Sequence, residues 1–266
     1  MTTEYTNIKE KGVWRRVKKS EMRDGASALD TKWVFQIKGD GRYRARLVVK
    51  GYTQIPGVDF TESHSPVAND VTIRLLLVYA IQQAWVVEQI DVETAFLYGE
   101  LKEKIYLRKP KGYNELSGDE LNDDDALLLN KTLYGLVQAA RVWLKTLINY
   151  LVDECNFVQS RAEPCLLLQF ENGVLVIAII IYVDDCVVVG KADDVKGAIS
   201  MIRKRFNIKV LGELREYVGA EFERKEGKFL IGQEKLIMGM KDRFAVRKQE
   251  RLGDACGPWK GPIGRN

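Results

Sequence analysis

The spacing of apolar and polar residues changes several times along the chain, and each change predicts an element. Thr31-Lys32-Trp33-Val34-Phe35-Gln36-Ile37 alternates and predicts a strand. Gly39-Asp40-Gly41 reads as a turn and Arg42 to Lys50 as the returning strand, on which Arg44, Arg46 and Lys50 share one parity and so one face. A loop begins at Pro56-Gly57 and runs to Pro66. Thr72 to Trp85 is densely apolar and predicts a buried helix, and Val86 to Asp91 predicts a short strand ending in a carboxylate. Residues 115–125 are acidic, contain Gly118 and predict an exposed loop. Leu144, Leu147, Ile148 and Leu151 recur at helical spacing and place an amphipathic helix over 138–154. Val174 to Val189 is apolar on both sides of Asp184-Asp185 and predicts two buried strands joined by a tight turn. Asp193 or Asp194 caps a following helix whose apolar face is Val195, Ile199, Ile202 and Phe206. Residues 217–223 and 228–231 predict a second hairpin. Residues 233–246 predict a last helix with Leu236, Ile237, Met240 and Phe244 inward. After Arg247 the chain is polar and Gly-rich without periodicity.

Strands and helices are intermixed with adjacent hairpins, which favours an α+β class with a mainly antiparallel sheet over a doubly wound parallel one. The 266 residues are 46% hydrophobic and 29% charged, the balance of a folded globular chain with a sizeable core. The longest apolar run, Val174 to Val183, is shorter than the roughly 20 residues that cross a bilayer as a helix. The N-terminus lacks the basic-then-apolar pattern of a secretory signal. Four cysteines without a C-x-x-C pair argue against a zinc ribbon or a disulfide framework, and a single histidine, His64, removes most His-dependent chemistry. The Gly-rich phosphate-binding strings of P-loop and Rossmann proteins are absent from the sequence. Charge is uneven: residues 1–50 carry a net +7, residues 51–200 a net −10 and residues 201–266 a net +7. Basic flanks around a carboxylate-rich centre suit a polyanion held through divalent cations, and equally suit solvated surface.

The strongest local signal is Tyr182-Val183-Asp184-Asp185. Carboxylates are expensive to bury, so two of them at the tip of an apolar hairpin suggest a bound cation. Hard oxygen donors suit Mg²⁺ with substrate phosphates, although Asp is also an ordinary turn residue. Asp91, ending a separate strand, supplies a third carboxylate, and the three together are the parts of a two-metal phosphoryl-transfer site.

Four strings in this order resemble the reverse transcriptase of copia-type LTR retrotransposons. They are Lys32-Trp33-Val34-Phe35 with Arg44-Ala45-Arg46-Leu47-Val48-Val49-Lys50-Gly51; Gln89-Ile90-Asp91-Val92 with Thr94-Ala95-Phe96-Leu97; Tyr134-Gly135-Leu136, Gln138-Ala139, Arg141 and Trp143; and Tyr182-Val183-Asp184-Asp185. Ser65-Pro66-Val67, Ile105-Tyr106 with Gly112-Tyr113, and Leu211-Gly212-Glu213-Leu214 with Tyr217 and Gly219 agree, so the resemblance runs from about Trp14 to Val246. Tyr98, Ala140 and His64 depart from the family's usual strings, and none of the three is a metal-ligand position.

The resemblance implies a right-hand polymerase fold: one reverse transcriptase domain over 1–266, with fingers at 1–68 and 99–138, a ferredoxin-like palm at 69–98 and 139–228, and a partial, truncated thumb at 229–266. It implies RNA-directed DNA polymerase activity, with a primer 3′-hydroxyl attacking the α-phosphate of a dNTP. Asp91, Asp184 and Asp185 are the implied catalytic residues and, with the Val92 carbonyl, the ligands of two Mg²⁺ ions for which Mn²⁺ can substitute. Arg44, Arg46, Phe96 and Gln138 are the implied nucleotide-binding residues, Phe96 as the ring that excludes a 2′-hydroxyl. Leu211, Gly212, Tyr217 and Gly219 are the implied primer-binding residues. The implied partners are an RNA or DNA template with primer, dNTP, and other polyprotein products (RNase H, integrase and capsid), with no membrane. The implied setting is a cytoplasmic virus-like particle with delivery of DNA to the nucleus. Nothing in the sequence resembles the family's protease, integrase, capsid or RNase H portions. Two alternatives remain at this point: a catalytically inactive, truncated relic that at most binds nucleic acid, and a template-independent phosphoryl-transfer enzyme on a related palm.

Overall fold

The computed structural model describes residues 1–37 and 41–244. The tip of the first predicted hairpin at Gly39-Asp40 and the tail after Phe244 lie outside the described residues. The described residues form two compact units, one over Met1–Leu214 and one from Arg215 onward.

The first unit begins with α1 (Thr2–Glu10), β1 (Trp14–Lys18) and the hairpin of β2 (Thr31–Ile37) with β3 (Tyr43–Val49). Next come α2 (Asp70–Gln82), β4 (Val86–Val92), β5 (Tyr106–Leu107), α3 (Tyr113–Ser117) and β6 (Asp125–Leu129). The unit continues with α4 (Ala139–Asp153), β7 (Val158–Gln159), β8 (Leu166–Glu171), β9 (Val174–Tyr182), β10 (Asp185–Gly190), α5 (Ala192–Arg205) and β11 (Ile208–Glu213). The second unit holds β12 (Glu216–Tyr217), β13 (Ala220–Lys225), β14 (Lys228–Gly232) and α6 (Glu234–Phe244).

A six-stranded sheet in the order β11-β4-β10-β9-β8-β7 is the centre of the first unit, and all its pairings are antiparallel. Strand alternation divides its residues between two faces. Ile90, Val92, Ile177, Ile179, Ile181, Cys186 and Val188 point to one face and form a core with Trp143, Leu147 and Leu151 of α4 and with Val195, Ile199 and Ile202 of α5. Val87, Ile180, Val187 and Val189 have the opposite parity and are buried as well, and α2 contacts β4 and β10. Burial on both faces explains why β9 and β10 are continuously apolar instead of alternating. A second core gathers Ile8 of α1, Leu47 and Val49 of β3, and Leu107, Leu127 and Leu129 of the β1-β6-β5 sheet. Phe96 packs against both cores.

Several expectations need correction. The 72–85 helix is buried on one side only, because Val71, Leu75 and Val78 face outward. The acidic 115–125 segment is not a simple loop: Tyr113–Ser117 is helical, Gly118 ends it in the left-handed region, and Asp125 is buried in β6 between Arg16 and Lys18. Lys191 stands at the N-cap of α5, and Asp193 and Asp194 lie in its first turn, where they oppose the positive helix end. Leu236, Ile237 and Met240 of α6 are exposed, not inward. The second hairpin is present as β13 with β14, but Tyr217 belongs to a separate strand, β12, which adds a third strand to it.

Candidate active site

The register of the central sheet brings the carboxylates together. Asp185 opens β10 and stands directly across from Asp91 on β4. The Val92 N–H donates to the Asp184 carbonyl at 2.8 Å, which makes Val92 and Asp184 the hydrogen-bonded pair and Asp91 and Asp185 the adjacent non-hydrogen-bonded one. Side chains are closest in pairs of that second kind, with Cα atoms about 4.5 Å apart. Asp91 and Asp185 therefore project side by side from one face at one end of the sheet, half-buried, with Asp184 half-buried in the adjoining turn.

The turn itself is strained and clamped. Val183 has φ +57°, a left-handed backbone that a β-branched residue rarely adopts. Its carbonyl accepts a bond from the Trp143 indole Nε1 at 2.6 Å, while the next carbonyl, that of Asp184, is held by Val92. The indole is fixed in turn by Phe206, whose ring meets it edge to face at 5.3 Å, and by Tyr98 at 6.1 Å. Trp143 of the third string and the aspartates of the fourth are thus parts of one structure. Cys186 points to the opposite face and is fully buried. Burial lifts its thiol above the usual cysteine range, and Asp185, Asp184 and Asp91 add to the shift. Burial leaves the thiol inert.

Hard oxygen donors on two adjoining strand ends are the right chemistry for Mg²⁺. Among the described residues, no three His, Cys, Asp or Glu side chains converge as a ready metal-ligand cluster. The sheet register places Asp91 and Asp185 on adjoining strands with Asp184 in the turn beside them.

Three of the nucleotide-binding candidates, Arg44, Arg46 and Phe96, fall in one region. A 3₁₀ turn at Ala95–Tyr98, entered through Thr94 at φ +55°, carries Phe96 just beyond β4. The Phe96 ring meets the Tyr134 ring edge-on at 5.2 Å, and the Arg46 guanidinium lies 5.2 Å over the Tyr134 ring. Behind them stands Glu4 of α1. Burial lifts its carboxyl above the usual glutamate range, against a Leu47 backbone bond and the charges of Arg44 and Arg46. Burial also raises the Tyr134 hydroxyl, with Glu4 adding to the effect. Gln138 is only 2% exposed: its Oε1 accepts from Gln54 Nε2 at 3.0 Å and its Nε2 donates to the Asp59 carbonyl at 2.9 Å. Gln54 Oε1 in turn accepts from the Val137 N–H. These bonds tie the 54–59 loop to the start of α4.

Backbone contact joins the first and third strings. The Val49 N–H donates to the Tyr134 carbonyl at 2.7 Å. A Cβ on Gly51 would lie 1.9 Å from the Gly135 carbonyl oxygen, and one on Gly135 would lie 2.2 Å from that of Val49. Only glycine permits this approach.

Of the primer-binding candidates, Leu211 and Gly212 lie in the first unit, where β11 bulges against β4 so that Gly212, at φ +85°, stands opposite Gln89 and Leu211 is left over and exposed. Tyr217 and Gly219 lie in the second unit. There Tyr217 is buried, and Val218 and Gly219, both at positive φ, turn β12 into β13. Two residues not among the expected site residues also flank the carboxylates. Lys209 is opposite Asp91 on β11, and Gln89 donates from Nε2 to Asp185 Oδ1 at 3.2 Å. A Gln inside a buried strand two residues before a candidate ligand was the available signal.

Comparison with known proteins decides the family. The profile described as reverse transcriptase (RNA-dependent DNA polymerase) matches residues 11–250. The chain belongs to the reverse transcriptase family. It is 36% identical over 258 residues to the retrovirus-related Pol polyprotein from transposon TNT 1-94 of Nicotiana tabacum, covering 93% of this chain and 19% of that protein. It is 34% identical over 215 residues to the Pol polyprotein from transposon RE1 of Arabidopsis thaliana, covering 79% of this chain and 14% of that one. It is 28% identical over 224 residues to the truncated transposon Ty1-A Gag-Pol polyprotein of Saccharomyces cerevisiae, covering 80% and 18%. The chain is thus a reverse transcriptase domain of the copia type, spanning less than a fifth of the length of these relatives. No helix among its described residues is long and apolar enough to cross a membrane.

Proposed function

We propose that this domain performs template-directed DNA synthesis, copying RNA by adding dNTP units to a primer 3′-hydroxyl with release of pyrophosphate. The observation that carries the reading is the close cross-strand pair Asp91 and Asp185 beside the clamped turn bearing Asp184. Asp91, Asp184 and Asp185, with the Val92 carbonyl, would hold two Mg²⁺ ions, Mn²⁺ being a substitute. Divalent cations held by these residues would supply a lowered pKa for the attacking hydroxyl and charge stabilisation for the leaving pyrophosphate.

The remaining residues position the reactants. Phe96, backed by Tyr134, presents a ring beside the end of β4 that sterically rejects a 2′-hydroxyl. Arg44 and Arg46 lie on β3 near that ring, where guanidinium groups pair with triphosphate oxygens. Gln138 acts from behind, holding the 54–59 loop and the start of α4 as one wall. Leu211 and Gly212 at the β11 bulge of the first unit are candidates for supporting the primer end, and Tyr217 and Gly219 are candidates of the second unit, each taken by itself. In this reading the six-stranded sheet with α4 and α5 is the palm of a right-hand polymerase, and β2, β3 and the β1-β6-β5 sheet belong to the fingers. Template–primer and dNTP are the partners. The polyprotein relatives suggest capsid, integrase and RNase H products as companions in a virus-like particle.

Primer extension on an RNA template with dNTP and Mg²⁺ tests this. Template-dependent extension is expected; folded protein that extends nothing contradicts it.

A further inference from the structure

Gln89 is an unusual residue for its place. It lies in the middle of β4, flanked by β10 and β11 in a sheet covered on both sides, and is 7% exposed. Glutamine is mostly a surface residue, and burying an amide without partners is costly. Its register explains the placement. Gln89 faces Val187 on β10, so Asp185 is its diagonal neighbour on the same sheet face, within reach of a long side chain. Its Nε2 donates to Asp185 Oδ1 at 3.2 Å. On the other flank, the β11 bulge sets Gly212 opposite Gln89, so no side chain from the edge strand competes for that space. The bulge and its glycine leave room beside Gln89, and the amide itself reaches Asp185 Oδ1.

We propose that Gln89 is a positioning residue of the carboxylate centre: its amide fixes the orientation of Asp185 and thereby sets the affinity of the site for divalent cation. The inference rests on the reading of Asp91, Asp184 and Asp185 as cation ligands. Partners that orient a ligand in this way typically change metal affinity by about 10- to 100-fold when lost. Methionine keeps the length and volume of glutamine and removes the donor.

The test is Mn²⁺ binding to the full chain, followed by electron paramagnetic resonance, for the native protein, Gln89→Met and Asp185→Asn. The companion readout is the Mg²⁺ dependence of primer extension against the KM for dNTP. Gln89→Met is expected to weaken Mn²⁺ binding by about tenfold or more and raise the Mg²⁺ requirement in parallel, with dNTP KM unchanged. Thermal melting reports whether each chain is folded, and Gln89→Leu replaces the methionine variant if that one is not. Weakened binding in Asp185→Asn with native binding in a folded Gln89 variant overturns the inference alone. Native Mn²⁺ binding in Asp185→Asn overturns the ligand reading and the inference with it. A raised dNTP KM with unchanged Mn²⁺ affinity also overturns the inference, assigning Gln89 to the nucleotide instead.

Discussion

The contact between Gly51 and Gly135 can be tested by adding single methyl groups. Gly51→Ala is a purely steric change, because its backbone is outside the left-handed region while its new Cβ would lie 1.9 Å from the Gly135 carbonyl oxygen. Ordinary contact begins at 3.4 Å, so the two backbones must part by about 1.5 Å. That movement breaks the Val49 to Tyr134 backbone bond, worth about 1 kcal/mol net, and adds overpacking strain of roughly 1–3 kcal/mol. The expected loss is ~2–4 kcal/mol. Gly135→Ala meets the Val49 carbonyl at 2.2 Å and also carries φ +88°, a conformation that costs an L-residue about 1–2 kcal/mol more, for a total of ~3–6 kcal/mol. Gly173→Ala is the control: φ is +77°, but a Cβ there has nothing within 4 Å, so only the ~1–2 kcal/mol conformational cost applies. With a urea m-value of about 2 kcal/mol/M, the midpoints should fall by ~1–2 M, ~1.5–3 M and ~0.5–1 M respectively. A Gly51→Ala midpoint equal to the native one, or Gly51→Ala and Gly135→Ala both no worse than Gly173→Ala, would refute the close approach.

Other consequences are as direct. Phe96→Val should raise rNTP incorporation relative to dNTP in primer extension, and an unchanged sugar preference would remove Phe96 from the gate. Trp143→Phe keeps most of the aromatic packing on Phe206 but deletes the indole donor to the Val183 carbonyl. It should cost about 1 kcal/mol in urea unfolding and lower kcat more than it changes KM, whereas a native kcat would show that the clamp on the turn is dispensable. Two carboxyls should shape acid stability in opposite senses. Lys18, the Asn122 amide and Arg16 hold the Asp125 carboxyl well below the usual range, so its contribution is complete above about pH 4 and is lost as pH falls further; Asp125→Asn should flatten that acid limb. Glu4 is lifted by burial, so folding takes up a proton between its ordinary and folded values and stability rises as pH falls through that window. Glu4→Gln should abolish that rise, and an unaltered pH profile would show that Glu4 is not desolvated.

What the sequence makes legible follows from which interactions are local. The hairpin about Asp184-Asp185, the strand ending at Asp91 and the helix over 138–154 are visible because alternation and helical spacing are local signals, and the structure places β9, β10, β4 and α4 there. The pairing of Asp91 with Asp185 depends on strand register across almost a hundred residues, which periodicity does not encode. Trp143 reads as an ordinary packed ring until its indole is seen against the Val183 carbonyl. The resemblance implies Gln138 as a nucleotide-binding residue, and only the structure shows its buried amide bonded to Gln54 and to the Asp59 carbonyl. The outward Val71, Leu75 and Val78 of α2 mislead for a simple reason: composition reports how apolar a helix is, not how many of its faces have neighbours. The exposed Leu236, Ile237 and Met240 of α6 mislead in the same way.

The central claim is that three carboxylates on two adjoining strand ends form one catalytic centre. The most direct measurement is primer extension on an RNA template by the native chain, Asp91→Asn and Glu93→Gln. Asp91 shares its sheet face with Asp185, whereas Glu93 lies beyond the strand and is exposed. Extension by the native and Glu93→Gln proteins, with none from a folded Asp91→Asn protein, is the predicted result. Native-level extension by Asp91→Asn would contradict the account.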